Sequence, residues 1–246
     1  RGRSSARNDA GLTMPARVRV RSVLAALLAA VVLLSPSPAT AKAYHAERYD
    51  VRLALRDDGA LEVTETATFV FDGQGETFHR VYRDIPAART DGIDVLAVTF
   101  DGQPLALDGP SVRVVPRDTG IRVEVLFAPL AQGRRTLELR YRARQAISRE
   151  GDTARLRWTP LPDRRGYRIE GSTVEIVWHG LATPPTSVRT RRDDGVSVVV
   201  ARNQDAITIA SADVRANRAY QVQLELPAAA FSAFLPQWQR VLDAWN

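Results

Sequence analysis

The chain of 246 residues contains no cysteine, which removes disulfide staples, thiol nucleophiles, thiolate zinc sites and iron–sulfur clusters from consideration. It has one methionine, Met14, and three histidines. His45, His79 and His179 lie far apart, and none has a second ligand at a spacing that favours a metal. The sequence holds no H-E-x-x-H, G-x-S-x-G or P-loop pattern, and no cofactor is expected. No apolar run reaches the roughly 20 residues that a membrane-crossing helix needs. Glycine and proline, at 15 and 14, are too few for a low-complexity chain. With 45% hydrophobic and 25% charged residues, the composition is that of a globular protein of one or two domains.

The net charge of +6 points to a nucleic-acid binder until positions are counted. Residues 1–43 carry seven basic side chains against one acidic, and residues 44–246 carry 27 of each. The basicity belongs to the leader. From Met14, Arg17, Arg19 and Arg21 precede an unbroken apolar run from Val23 to Leu34. Ser35-Pro36-Ser37-Pro38 then breaks the helix, and Ala39 to Ala43 offers small-residue cleavage sites. This is the pattern of a secretory signal. Export separates the chain from nucleic acid, which is not an expected partner.

From Tyr49 onward side chains alternate apolar and polar, with turn residues between runs. Tyr49, Val51, Leu53 and Leu55 form one face, Asp57-Asp58-Gly59 turns the chain, and Leu61, Val63, Ala67, Phe69 and Phe71 form the next. Further strands are read at 93–100, 121–127, 136–144, 154–158, 173–178, 196–200, 207–209 and 220–226. Short strands with Asp-Gly turns predict an all-β fold, an antiparallel β-sandwich. At the C-terminus Phe231, Phe234, Leu235, Trp238, Val241, Leu242 and Trp245 fall three or four apart, a short amphipathic helix. Two readings stand: a helix docked on the sandwich, or a juxtamembrane segment with tryptophans at a headgroup interface.

The segment Glu76 to Pro86 is the most unusual, with four charged residues, a histidine and two aromatics before a proline. Glu65 shares by parity the core face of Val63, Ala67 and Phe69, where a carboxylate is costly unless paired. Arg80 and Arg83 are its natural partners, because a guanidinium stays charged and can bond both oxygens. Glu65, His79, Arg80, Arg83 and Asp84 therefore form a candidate structural or ligand-binding ion-pair site. Residues 44–132 hold 9 basic and 15 acidic side chains, and residues 133–246 hold 18 and 12. In the basic half Arg140, Arg142 and Arg144 share one strand face and Arg155 and Arg157 another. These arginines are candidate contacts for anionic lipid or an acidic polymer.

Tyr49-Asp50-Val51, Asp58-Gly59, Leu61-Glu62-Val63-Thr64-Glu65 and the run from His79-Arg80 to Arg83-Asp84-Ile85-Pro86 carry a resemblance. Over 44–228 the chain resembles the domain of unknown function 2207 family of predicted bacterial membrane proteins, and Ala154-Arg155-Leu156-Arg157-Trp158 resembles that family's aromatic strand. The resemblance implies a signal peptide, an extracytoplasmic β-rich domain and membrane spans, and it carries over no catalytic residue. The expected organisation is a leader over 1–43, a β-sandwich over 44–228 and a juxtamembrane segment over 229–246, with the anchor beyond residue 246. The expected protein is exported to the periplasmic or extracellular face and membrane-anchored. It serves as a non-catalytic binding domain for an envelope protein or an anionic lipid or polymer. The alternatives are an envelope-polymer hydrolase using Glu65, His79 and Asp84, and a lipid or glycan carrier.

Overall fold

The structure is a computed structural model that describes residues 43–244, apart from 75, 180, 182, 233 and 234. The leader expected before Ala43 lies outside the described residues, as do Phe234 and Trp245 of the C-terminal stripe. The described chain forms three sheets. The largest has the order β13-β14-β11-β1-β2-β8-β4-β5. Its strands are β1 (Ala43–Leu55), β2 (Leu61–Asp72), β4 (Ile93–Phe100), β5 (Gln103–Leu105), β8 (Gln132–Ala143), β11 (Ile169–Val177), β13 (Val198–Arg202) and β14 (Ala206–Val214). A second sheet orders β12 (Ser187–Arg192), β15 (Tyr220–Pro227), β10 (Thr153–Trp158) and β9 (Ile147–Glu150). The third orders β3 (Phe78–Pro86), β7 (Gly120–Leu130) and β6 (Val112–Arg117).

Alternation in the sequence becomes alternation in burial. Along β2, Leu61, Val63, Glu65, Ala67, Phe69 and Phe71 are buried, while their neighbours up to Val70 are half-buried. The β1–β2 turn closes because Gly59 takes a φ of +80° and the Asp58 carboxylate accepts from the Ala60 amide at 3.0 Å, an Asx-type turn. Aromatic rings join the third sheet to the first: Phe78 of β3 lies 4.7 Å from Phe71. Tyr44 of β1 lies 5.1 Å from Tyr167, which sits 5.4 Å from Phe69.

The all-β reading with a short C-terminal helix holds, with one correction. The described strands form three sheets, and the pairing is not wholly antiparallel. β1 runs antiparallel to β2 and parallel to β11, with Val51 opposite both Glu65 and Val174. A parallel neighbour needs a long crossover, and the whole run from Arg56 to Arg168 supplies it. The strands missed in the sequence, β3, β5, β6, β9 and β12, are short, mostly exposed or interrupted in their alternation.

The C-terminal helix, α1 (Gln237–Asp243), docks through polar groups rather than through one apolar stripe. The Asp91 carboxylate accepts from the Gln237 and Trp238 amides, both at 2.9 Å. It therefore caps α1 from a distant turn. Trp238 Nε1 donates to the Gln145 carbonyl at 2.7 Å. Gln239 is the buried helix residue, while Val241 and Leu242 are exposed. Its side-chain amide accepts from Arg149 N at 2.8 Å and donates to Arg149 O at 2.6 Å, supplying the free edge of β9 with a surrogate strand partner.

Candidate functional site

Glu65 is held by a closed set of buried donors. Arg83 grips it with two bonds, Nε to Oε2 at 2.7 Å and Nη2 to Oε1 at 2.9 Å. The side chains of the pair are 5% and 3% exposed for Arg83 and Glu65. The Tyr141 hydroxyl donates to Oε1 at 2.7 Å, and the Tyr49 hydroxyl donates to Oε2. Burial, reinforced by the Glu65 charge, pushes both phenols well above their ordinary pKa, so they stay protonated as donors. Burial also opposes the charge on Arg83, but Glu65 and the two tyrosines outweigh it and raise its pKa. The tyrosines were not read from the sequence as partners. Glu65 stands opposite Val51 and Leu139, and Tyr49 and Tyr141 stand opposite Ala67 and Val63. They are thus diagonal cross-strand neighbours, within reach of a long side chain.

Above this set lies an open groove of about 730 Å³. It is lined by Tyr82–Pro86 of β3, the β6–β7 turn from Pro116 to Arg122, the loop from Pro162 to Tyr167, and Tyr44. Arg83 belongs to both, so it forms part of the groove floor with Glu65 beneath it. Asp84 turns the opposite way from Arg83, as strand parity requires. It receives two bonds from Arg122, Nε to Oδ1 at 2.6 Å and Nη2 to Oδ2 at 2.7 Å. These bonds hold the Asp84 carboxyl below the usual aspartate range. The Arg122 guanidinium also stacks over the Tyr82 ring at 4.1 Å.

Arg165 fixes the facing wall. Only 3% exposed, it donates to the carbonyl oxygens of Pro162, Val214 at 3.1 Å, Arg215 at 2.9 Å and Arg218 at 2.6 Å. It ties the loop to the β14–β15 turn. No carboxylate lies within ion-pair distance of it among the described residues, and burial pulls its pKa down while Tyr167 and Tyr49 oppose that. Arg117 and Arg164 are exposed on the groove walls beside Asp118 and Asp163.

The structure brings Glu65 and Arg83 together and sends the other predicted site residues elsewhere. His79 and Arg80 are exposed at a β-bulge between Phe78 and Arg80, and Asp84 belongs to Arg122. Glu65, His79 and Asp84 therefore do not meet in one cleft. The arginine rows fall on two sheets. Arg142 of β8 pairs with Asp58 and, at 3.8 Å, Glu62. Arg144 lies beyond the end of β8 and pairs with Asp94 at 3.4 Å. Arg155 of β10 sits between Glu150 at 2.8 Å and Glu225 at 3.2 Å. Arg140 is exposed and Arg157 half-buried. Of the other histidines, His45 lies 3.3 Å from Glu170.

Fold and groove together define an all-β domain with a cleft of mixed lining beside a small sheet and a loop tied down by a buried arginine. Residues 45–225 match the family described as predicted membrane protein (DUF2207), N-terminal domain, and the chain belongs to that family. A search of the curated proteins finds no match. Among solved structures, the chain is similar to a candidate nutrient-binding protein from Legionella pneumophila, with a TM-score of 0.50 at 11% identity over 82% of this chain and 71% of that one. An M1 zinc metallopeptidase from Deinococcus radiodurans gives 0.42 at 18% identity over 76% and 43%. Yeast LTA4 hydrolase in complex with bestatin gives 0.46 at 13% over 85% and 33%. The chain spans less than half the length of these two enzymes, and at such identities the likeness concerns the fold alone.

Proposed function

We propose that this is a non-catalytic extracytoplasmic domain of a membrane-anchored envelope protein, and that it binds a protein or envelope component in the groove beside β3. The leader pattern over 14–43 supports export, and membership of a predicted membrane-protein family supports anchorage. No helix among the described residues is long and apolar enough to cross a membrane, so the anchor is assigned to other residues. The observation that carries the binding reading is the open groove of mixed polar and apolar lining, with walls held by bonds from Arg83, Arg122 and Arg165. Such a preformed cleft with a few placed polar groups suits ligand binding. Its ionisable groups suit acid–base chemistry poorly: Glu65 is locked beneath the floor and Asp84 is held ionised by Arg122.

The test uses the full-length protein in intact cells, with a photo-crosslinking amino acid placed at Gly166 on the groove wall or at Asp205 on a distant turn. A discrete adduct from position 166 that is absent from position 205 is expected. Equal labelling from both positions, or none from 166, overturns the reading.

A further inference from the structure

Resting on the binding reading above, and naming its partner class, we infer that the groove receives an extended peptide segment of a partner protein, which adds as a strand to the free edge of β3. The order β3-β7-β6 leaves β3 at the rim of its sheet. Which main-chain groups face outward follows from one bond. Ala87 N donates to Thr119 O at 2.9 Å, and the register sets Pro86 opposite Gly120, Asp84 opposite Arg122 and Tyr82 opposite Glu124. In an antiparallel ladder, residues alternate between exchanging bonds with the partner strand and pointing away from it. Val81, Arg83 and Ile85 therefore bond to β7, and Arg80, Tyr82 and Asp84 direct N–H and C=O outward. The Asp84 carbonyl agrees with this, since it accepts from Arg83 Nη1, a bond that takes one of its two acceptor positions and leaves the Asp84 N–H and both Tyr82 groups for a partner.

That edge opens on the groove. Five consecutive residues, Tyr82 to Pro86, line it, so the outward main-chain groups of Tyr82 and Asp84 belong to residues of its wall. Pro86 at one end and the bulge at the other confine the open edge to a short stretch, a common protection against indiscriminate pairing. Across the groove, Gly166 has no heavy atom within 4 Å of where a Cβ would stand and no positive φ. Neither space nor backbone geometry demands glycine there, and its lack of a side chain keeps the cleft wide opposite the edge.

The exposed charges of the groove are of both signs. Each wall offers one exposed cation and one exposed anion, Arg117 with Asp118 and Asp163 with Arg164. A peptide held by its main chain presents alternate side chains of either sign and can meet both.

The experiment uses the full chain and terminally blocked decapeptides alternating threonine and valine, with a single central glutamate or arginine. Amide hydrogen exchange is followed residue by residue. Exchange at Tyr82 and Asp84 is expected to slow about tenfold on peptide addition, while Arg83 and Ile85, already bonded to β7, do not change. N-methylating alternate peptide amides abolishes the effect, and Gly166→Trp removes it without moving the melting curve. Absence of slowing at Tyr82 and Asp84 with every peptide overturns the inference. So does binding of oligogalacturonate or polyphosphate that leaves the β3 amides unchanged, an outcome that preserves the binding reading while rejecting strand addition.

Discussion

At Glu65 the protein places a carboxylate on a face otherwise given to Val63, Ala67 and Phe69, and it does so with every acceptor position occupied. Removing one partner strands the rest, so Glu65→Ala and Arg83→Ala are each expected to cost about 3–5 kcal/mol in denaturant unfolding. Tyr141→Phe, which keeps the ring and deletes one donor, is expected to cost about 1–2 kcal/mol. The double change Glu65→Leu with Arg83→Met removes both charges, so it should destabilise less than either alanine variant. Much of this was legible in the sequence: parity placed Glu65 inward, and Arg83 was one of two named partners. Tyr49 and Tyr141 were not legible, because diagonal contact depends on the register of three strands distant in sequence. Asp84 allows a prediction with a definite sign. Its pKa is lowered in the folded state, so its stabilising contribution is whole above the ordinary aspartate value of about 3.9. That contribution fades as pH falls through the depressed value. Asp84→Asn should therefore lower the melting temperature at neutral pH, with the gap to the parent closing in strong acid. The gap stays small because the carboxylate is 40% exposed and screened by solvent.

Strand β3 shows why an element can be hidden while its residues are noticed. Phe78, Val81, Arg83 and Ile85 are its buried positions, and the bulge between Phe78 and Arg80 puts the first two three residues apart. A bulge breaks the period of two, and an inward arginine disguises the face that remains. Helix α1 misleads in a different way. Its apolar spacing predicted an aliphatic and aromatic face, yet Val241 and Leu242 are exposed and Gln239 is buried. The deciding interaction is the Gln239 amide on Arg149, a pairing of one side chain with one strand edge that no periodicity encodes. Gln239→Leu leaves both Arg149 main-chain groups without their partner and should cost about 1–3 kcal/mol. Asp91→Ala removes the cap and should cost about 1 kcal/mol. Faster amide exchange confined to α1 and β9 in both variants is the expected readout, and a global loss without local opening would contradict the docking role.

Across the whole molecule, long-range pairing decides which pieces can stand alone. The large sheet is built from both halves of the chain: β2, β8, β4 and β5 lie to one side of β1, and β11, β14 and β13 lie to the other. The parallel β1–β11 ladder joins them, from Ala46 opposite Ile169 to Ala54 opposite Val177. Alternation in the sequence revealed most of these strands singly but could not reveal that the first described strand takes one from the far half as its neighbour. The basic and acidic halves noticed in the sequence are likewise interleaved by the fold, with β1 paired to β11 and β2 to β8. Arg142 and Arg144 then meet carboxylates of the acidic half, Asp58 and Asp94. Cutting the chain after Trp158 is the corresponding experiment. It removes β11, β13 and β14 from the large sheet and β12 and β15 from the second, leaving β10 with β9 as its only strand partner. Val51, Leu53 and Leu55 of β1 are each 2% exposed or less in the intact protein, and β1 then presents a long open edge. Such edges and uncovered apolar residues drive aggregation rather than folding. The fragment is expected to lose the cooperative unfolding transition of the parent and to be cleaved rapidly by protease throughout β1 and β2. A fragment that unfolds cooperatively on its own would show that β1, β2, β8 and β4 form an independent unit, and that the parallel ladder only joins two finished parts.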